Sequence, residues 1–201
     1  MALTRKKFLI AKIETTYNTD PSPTGGSNAI QVSSLELTPI ESDNVQAAAF
    51  QGFLGNSTRG TLVAAKRVSV TFDVELAGSG TAGTPPAFGP LLKACGLSET
   101  LVTSTSATYA PVSASFDSVT IYCFYDGTQH KITGARGSVS FNMTAGQFAT
   151  ASFNFIGNYN APDGTALSGS FTVANQAAAI EFNDANVTTA TFHGEIGRAH
   201  V

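Results

Sequence analysis

The sequence predicts a mainly β chain with one short flanking α-helix and a long loop or arm. Three observations carry that expectation. From Val68 to Leu76, apolar Val68, Val70, Phe72, Val74 and Leu76 alternate with polar Ser69, Thr71, Asp73 and Glu75. Successive strand side chains point to opposite faces, so this pattern sets one apolar row on a core and one polar row outside. Asp126-Gly127 stands between two further β runs, and both positions of a tight hairpin turn tolerate positive φ. A single good helix pattern, Ala87–Cys95, has Pro90 near its start and Gly96 just past its end. Proline fits the first helical turn, and glycine fits the left-handed position that follows the last one.

The remaining elements follow in order. Phe8 to Thr15 reads as a first strand. Thr19 to Asn28, with Asp20-Pro21, Pro23 and Gly25-Gly26, reads as a loop. Ala29 to Thr38 alternates through Ile30, Val32, Leu35 and Leu37, with a phase slip at Ser33-Ser34 that suits a β-bulge. Pro39 is expected to end this strand. Glu41 to Lys66 has no sustained period and carries Phe50, Phe53 and Leu54 among small residues. A connection this long is usually functional or disordered, and disordered segments are poor in aromatics. It reads as an arm that packs on something else.

Gly78 to Pro86 reads as a mobile Gly/Thr loop, and Leu101 to Pro111 as an extended segment. The hairpin runs from Ser118 to Ile132. Ala135 to Met143 alternates through Val139, Phe141 and Met143. Phe148 to Tyr159 places Ala151, Phe153 and Phe155 on one face. Phe171 to Phe182 is weaker strand material.

Composition narrows the function. The 201 residues are 42% hydrophobic and 12% charged. A usual chain has roughly 25% charged residues, so this surface is neutral and rich in Ser, Thr, Asn, Gln and Gly. Such a surface suits strands and extensive contact with other protein. The net charge of −3 offers no basic field to nucleic-acid phosphates. Arg5-Lys6-Lys7 is a short solvated run. The apolar stretch Phe8 to Ile13 is too short for a signal peptide and is broken by Lys12. No stretch approaches the ~20 apolar residues of a membrane-spanning helix. Cys95 and Cys123 sit in apolar surroundings and read as buried free thiols, consistent with folding in a reducing cytoplasm.

Candidate chemistry is sparse. Gly78-x-Gly80-x-x-Gly83 matches the dinucleotide fingerprint, lying after a strand and before a helix. That fingerprint needs the helix to begin at the glycines, and here Thr84-Pro85-Pro86 intervenes. The strand alternates, whereas a central parallel strand is apolar on both faces. Nucleotide binding is therefore not expected. His130, His193 and His200 are the histidines, and none has a second His or Cys at ligand spacing. Asp73 and Glu75 share a face, as a polar strand face requires without any acid–base role. Neither a catalytic residue nor a cofactor is expected.

Three runs together carry a family resemblance. They are Ala65-Lys66-Arg67-Val68 through Ala77-Gly78-Ser79-Gly80; Gly89-Pro90-Leu91-Leu92-Lys93-Ala94-Cys95-Gly96 with Tyr109-Ala110-Pro111-Val112-Ser113; and Ser118-Val119-Thr120-Ile121-Tyr122 with Asp126-Gly127, His130-Lys131 and Thr133-Gly134-Ala135-Arg136-Gly137. The combination resembles the tail tube (major tail) proteins of long-tailed bacteriophages, from the first strand to about Gly194. Gln46 to Arg59 agrees less well. The resemblance implies a β-sandwich or barrel-like domain with a short flanking helix, spanning residues 1–194. It implies homohexameric rings that stack into a tube in the phage tail, assembled in the host cytoplasm. Partners would be further copies and other tail proteins (tape measure, tail terminator, baseplate), with no membrane. DNA would pass through the lumen without specific binding.

The residues agree with that implication. Phe50, Phe53 and Leu54 offer anchors for another subunit, since aromatics dominate interface energies. Rotational symmetry lets each open sheet edge meet the next protomer. Tight phosphate binding needs Lys/Arg clusters, which a conduit for DNA should avoid. Two alternatives remain: another virion or surface β-sandwich for decoration or adhesion, and a nucleotide-binding enzyme using Gly78 to Gly83. The last seven residues, Glu195 to Val201, match the translation of a widely used sequencing adapter. They are expected to be an artefactual tail on a chain that breaks off near Gly194.

Overall fold

The computed structural model describes residues 7–45, 62–125, 127–164, 171–183, 190–192 and 195–197. Its elements are β1 (Lys7–Ile13), β2 (Ala29–Ile30), β3 (Ser33–Val45), β4 (Leu62–Glu75), α1 (Gly89–Ala94), β5 (Leu97–Val102), β6 (Ser106–Pro111), β7 (Val119–Tyr125), β8 (Thr128–Asn142), β9 (Thr150–Tyr159), β10 (Ala190–Phe192) and β11 (Glu195–Gly197). Seven of these form one antiparallel sheet in the order β2-β1-β7-β8-β9-β4-β3. β5 with β6 and β10 with β11 make separate two-stranded ribbons, the second taking in Glu195 to Gly197.

The alternation in β4 sets the layering. Val68, Val70, Phe72 and Val74 are buried, and the residues between them face away from the core. β9 does the same with Ala151, Phe153 and Phe155. Phe72 lies directly across from Phe153, with ring centroids 5.6 Å apart, and 6.0 Å from Phe155. Stacked pairs of this kind add to the area they bury. β1 and β7 contribute Leu9, Ala11, Val119, Ile121 and Cys123 to the same core. α1 lays Leu91 and Leu92 into it, packing on β1, β7 and β8.

The sheet is curled but is not a closed barrel. β2 and β3 are consecutive in the chain yet stand at opposite ends of the strand order. Only Gln31 and Val32 join them, so three residue steps of about 3.5 Å bring the two edges together at that corner. Beyond it the edges part, and Lys7 Nζ reaches Leu35 O at 3.2 Å across the seam. Among the described residues, no ladder closes the seam. Among the described residues the second layer is the β5–β6 ribbon and the helix, thinner than a two-sheet sandwich.

Several expectations hold, and others are corrected. The Ser33-Ser34 slip is a real bulge: the register shifts between Ser33 and Glu36, and Ser34 has φ +51°. The helix is two residues shorter at its start than the pattern suggested, and Gly96 takes φ +86° after it. Pro39 does not end its strand. β3 is an edge strand, where a missing N–H costs nothing, and a register shift between Thr38 and Glu41 absorbs the proline. The ends of the expected irregular arm are strands: Glu41–Val45 pairs with Leu62–Arg67. They lack a burial period because both faces are exposed. His130 and Val139 belong to one strand, β8, bulged at Thr133-Gly134. Phe171 to Phe182 forms no strand of the sheet. It wraps the outside, with Phe171 against Phe8 at 3.9 Å and hydrogen bonds to Gly25, Gly78 and Gln147.

Candidate functional site

The sequence-predicted anchors Phe50, Phe53 and Leu54 lie outside the described residues. Their stem is described. From Ser42↔Lys66 to Val45↔Leu62, β3 and β4 pair with each other past the last β4–β9 rung, Arg67↔Asn158. Val45, Leu62 and Val63 are exposed on this stem. Arg67 fastens it, with Nε 3.3 Å from Glu41 and a second contact to Asp43. Such exposed pairs contribute at most about 1 kcal/mol, so they orient the stem more than they stabilise it.

A second apolar cluster marks the opposite end of the sheet. Phe141, Met143 and Phe148 are exposed there, beside the Asn142↔Thr150 rung. The nine rungs from Arg67↔Asn158 to Glu75↔Thr150 separate the two ends, about 26 Å at 3.3 Å per step. Between them, the face away from the core carries Thr71, Asp73, Ser138, Ser140, Ser152 and Asn154, together with exposed Ile156 and, across from it, Arg136, which donates to Phe116 O. Asp73 accepts a hydrogen bond from Ser152 at 2.5 Å, so the Asp73/Glu75 pair belongs to a polar strand face.

The Gly78–Gly83 stretch does not build a phosphate cradle. It lines a shallow groove of about 580 Å³ with Phe88, Leu92 and Tyr109. Gly83 has φ +75°, and a Cβ there would stand 2.5 Å from Ser104 N and 2.6 Å from Val102 O. This glycine seats the loop on the β5–β6 turn. Gly83→Ala is expected to cost about 2 kcal/mol or more, because the left-handed φ and the backbone clash add. Thermal denaturation checks this, and an unchanged midpoint would dissociate the loop from the turn.

The titratable groups are structural. His130 sits edge-on to Tyr125 at 5.9 Å, and burial holds its pKa below the ordinary value. Cys95 and Cys123 are free; burial pushes both thiols up to about 12, although Cys95 is only half-buried. Among the described residues, no three His, Cys, Asp or Glu side chains converge as metal ligands would.

Sequence reasoning missed the most organised polar cluster. Glu14 is 6% exposed, one residue past β1. Its Oε1 accepts from Thr120 Oγ1 at 2.6 Å and Gly134 N at 2.7 Å. Its Oε2 accepts from Ser118 Oγ at 2.6 Å and Asn18 N at 2.8 Å. Burial raises its pKa, but hydrogen bonds from Ser118, Thr120, Gly134 and Asn18 outweigh that and hold it below 4.5. Gly134, at φ +62°, turns its N–H inward at the β8 bulge. Asp20 ties the same loop to the sheet through Lys131 at 2.6 Å and Tyr122 at 2.5 Å. The only sequence signal was a carboxylate at the end of an apolar strand, which is too common to single out.

Comparison with known proteins gives one family. A family model described as phage tail tube protein matches residues 4–198. The structure is similar to a chain in a cryo-EM structure of the anti-feeding prophage cap, its tube-terminating cap. The TM-score is 0.49 at 9% identity, over 81% of this chain and 91% of that one. Among curated proteins, none matches the sequence.

Proposed function

This chain belongs to the phage tail tube protein family, and we propose that it polymerises as stacked hexameric rings forming the conduit for phage DNA. It is a structural protein of the phage tail. The observation that carries the assembly reading is the edge of β3. It is the last strand of the sheet, and it runs from the open seam straight into a projecting stem with exposed Val45, Leu62 and Val63. An edge this long invites pairing with other chains, and a ring disposes of it by setting each edge against the next protomer.

Stacking follows from the two ends. Exposed apolar residues at the stem and at Phe141, Met143 and Phe148 lie at opposite ends of the strands. A contact between two different patches repeats without closing, which builds a column of rings. In this reading the face bearing Thr71, Ser138, Ser140 and Asn154 lines the lumen. Hydroxyls and amides dominate there, and Arg67 and Arg136 on that face are already engaged, with Glu41 and Asp43 and with Phe116 O and the Tyr17 ring, so little is left to grip DNA phosphates tightly. Tape measure, tail terminator and baseplate proteins would meet the two ends of the column. The chain needs no cofactor and catalyses nothing.

Negative-stain electron microscopy of the purified chain, repeated with any natural C-terminal continuation restored, tests the proposal. Rings about one subunit thick, or tubes, are expected; dispersed monomers in both forms refute it. Phe50→Ser with Phe53→Ser is expected to abolish rings while the monomer's circular dichroism and melting stay unchanged. Loss of the fold would instead place these side chains in the core.

A further inference from the structure

β1 and β7 are apolar on both faces. Leu9, Ala11, Ile121 and Cys123 belong to the main core, while Ile10, Tyr122 and Phe124 form a second buried cluster. Side chains alternate along a strand, so this second row lies on the reverse face of the sheet and needs a cover of its own. The cover is a strap, residues 171–183, which adds no strand to the sheet. The Phe171 ring centroid stands 3.9 Å from that of Phe8 and 6.0 Å from that of Phe124, and Val173 packs beside it. Gly25 leaves room for this ring: a Cβ there would stand 3.0 Å from it.

Past these two side chains the strap is tied by scattered hydrogen bonds. Thr172 N donates to Gly25 O at 3.2 Å, Ala87 N to Asn175 O at 2.9 Å and Ala177 N to Gly78 O at 2.9 Å. Gln176 exchanges two bonds with the Gln31 backbone, at 3.2 and 3.4 Å. At the far end, Phe182 N donates to Gln147 O and accepts from Gly146 N, both at 3.0 Å, beside exposed Phe148. A segment held this way lifts off without breaking any rung of the seven-stranded sheet, and such segments open well below the cost of global unfolding.

We propose that the strap is exchanged between copies: on assembly, Phe171 and Val173 of each chain leave their own seat over Phe8 and Phe124 and fill that of a neighbour. An identical segment remakes between chains every contact that it makes within one, so exchange costs little. The tether reaches. Asp163 and Gln129 exchange two backbone hydrogen bonds, and Gln129 pairs with Phe124. The seat is therefore about two strand spacings from Asp163, roughly 10 Å, whereas eight residue steps of about 3.5 Å reach about 28 Å. The trigger is the far end of the strap. It lies beside Phe148, in the apolar cluster that the stacking contact uses, so an arriving copy meets Phe182 and Gln147 and loosens the strap where it is tied. The inference rests on the tube reading and adds a contact on the face of β1 and β7, away from the edge of β3.

Gly80→Cys with Ala177→Cys tests the exchange. A Cβ at Gly80 stands 3.8 Å from the Ala177 Cβ, the spacing of a disulfide, and both positions are exposed. Oxidised as a monomer, the pair ties the strap to its own chain. That form is expected to need at least about tenfold more protein than the reduced form to make rings or tubes, measured by sedimentation and electron microscopy. Oxidised after assembly, the same variant is expected to give a ladder of covalently joined copies on a non-reducing denaturing gel. Equal assembly of the tied form, or single chains alone on the gel, overturns the exchange and leaves the tube reading standing. Wild-type tubes grown from a mixture of differently isotope-labelled chains supply an arm free of substitutions. Solid-state NMR is expected to show contacts between Phe171 of one copy and Phe8 of another, and contacts confined to single copies overturn the proposal. A wild-type chain that never assembles removes both readings.

Discussion

Phe72→Ala is expected to lower the unfolding free energy by about 3–5 kcal/mol. Phe72 is fully buried in the middle of β4 and stacks on Phe153 and Phe155, which also stack on each other at 5.9 Å. Truncation therefore removes one member of a three-ring cluster and leaves a cavity that two rigid neighbours cannot fill. Its chain neighbour Thr71 points to the opposite face. Thr71→Ala is expected to stay within about 0.5 kcal/mol. Urea denaturation of the two variants, with assembly blocked by the Phe50/Phe53 double substitution, measures the contrast. Equal losses would mean that the sheet is not layered as described.

Glu14→Gln is expected to cost about 2–4 kcal/mol, because an amide has one acceptor oxygen for four donors and turns its own N–H groups toward some of them. The same residue sets an acid dependence. Its folded pKa lies below the unfolded 4.5, so its contribution is complete above that value. As pH falls below 4.5 the unfolded chain takes up the proton first, and the contribution drains away through the lowered folded value. Denaturation midpoints of the wild type should therefore decline more steeply below pH 4.5 than those of the Gln variant. Parallel profiles would show that the carboxylate is not held by these donors. The cluster joins Asn18 in the first loop, Ser118 and Thr120 at β7 and Gly134 in the β8 bulge, so its loss should loosen that corner first.

Much of this was legible in the chain. A period of two with apolar residues in phase can only sit half-buried, so β4 and β9 followed from Val68–Leu76 and Phe148–Tyr159. Gly127 and Gly96 are conformational instructions that act locally, and both take positive φ, between β7 and β8 and after the helix. The Ser33-Ser34 slip named its own bulge. The stem of the arm escaped notice because Ser42–Val45 and Leu62–Lys66 bury little and so carry no period; only pairing with each other makes them strands.

Local sequence thus determined the half-buried strands β4 and β9, the β7–β8 hairpin, the helix α1 and which face of those strands is apolar. These depend on steric and solvation preferences between residues only a few positions apart. Tertiary structure alone decided the curl of the sheet, its open seam and the Glu14 cluster. Each depends on groups far apart in the chain: Lys7 with Leu35, Glu14 with Gly134. No short pattern encodes such meetings, because they are set by how seven strands are ordered and how far the sheet bends before its edges meet.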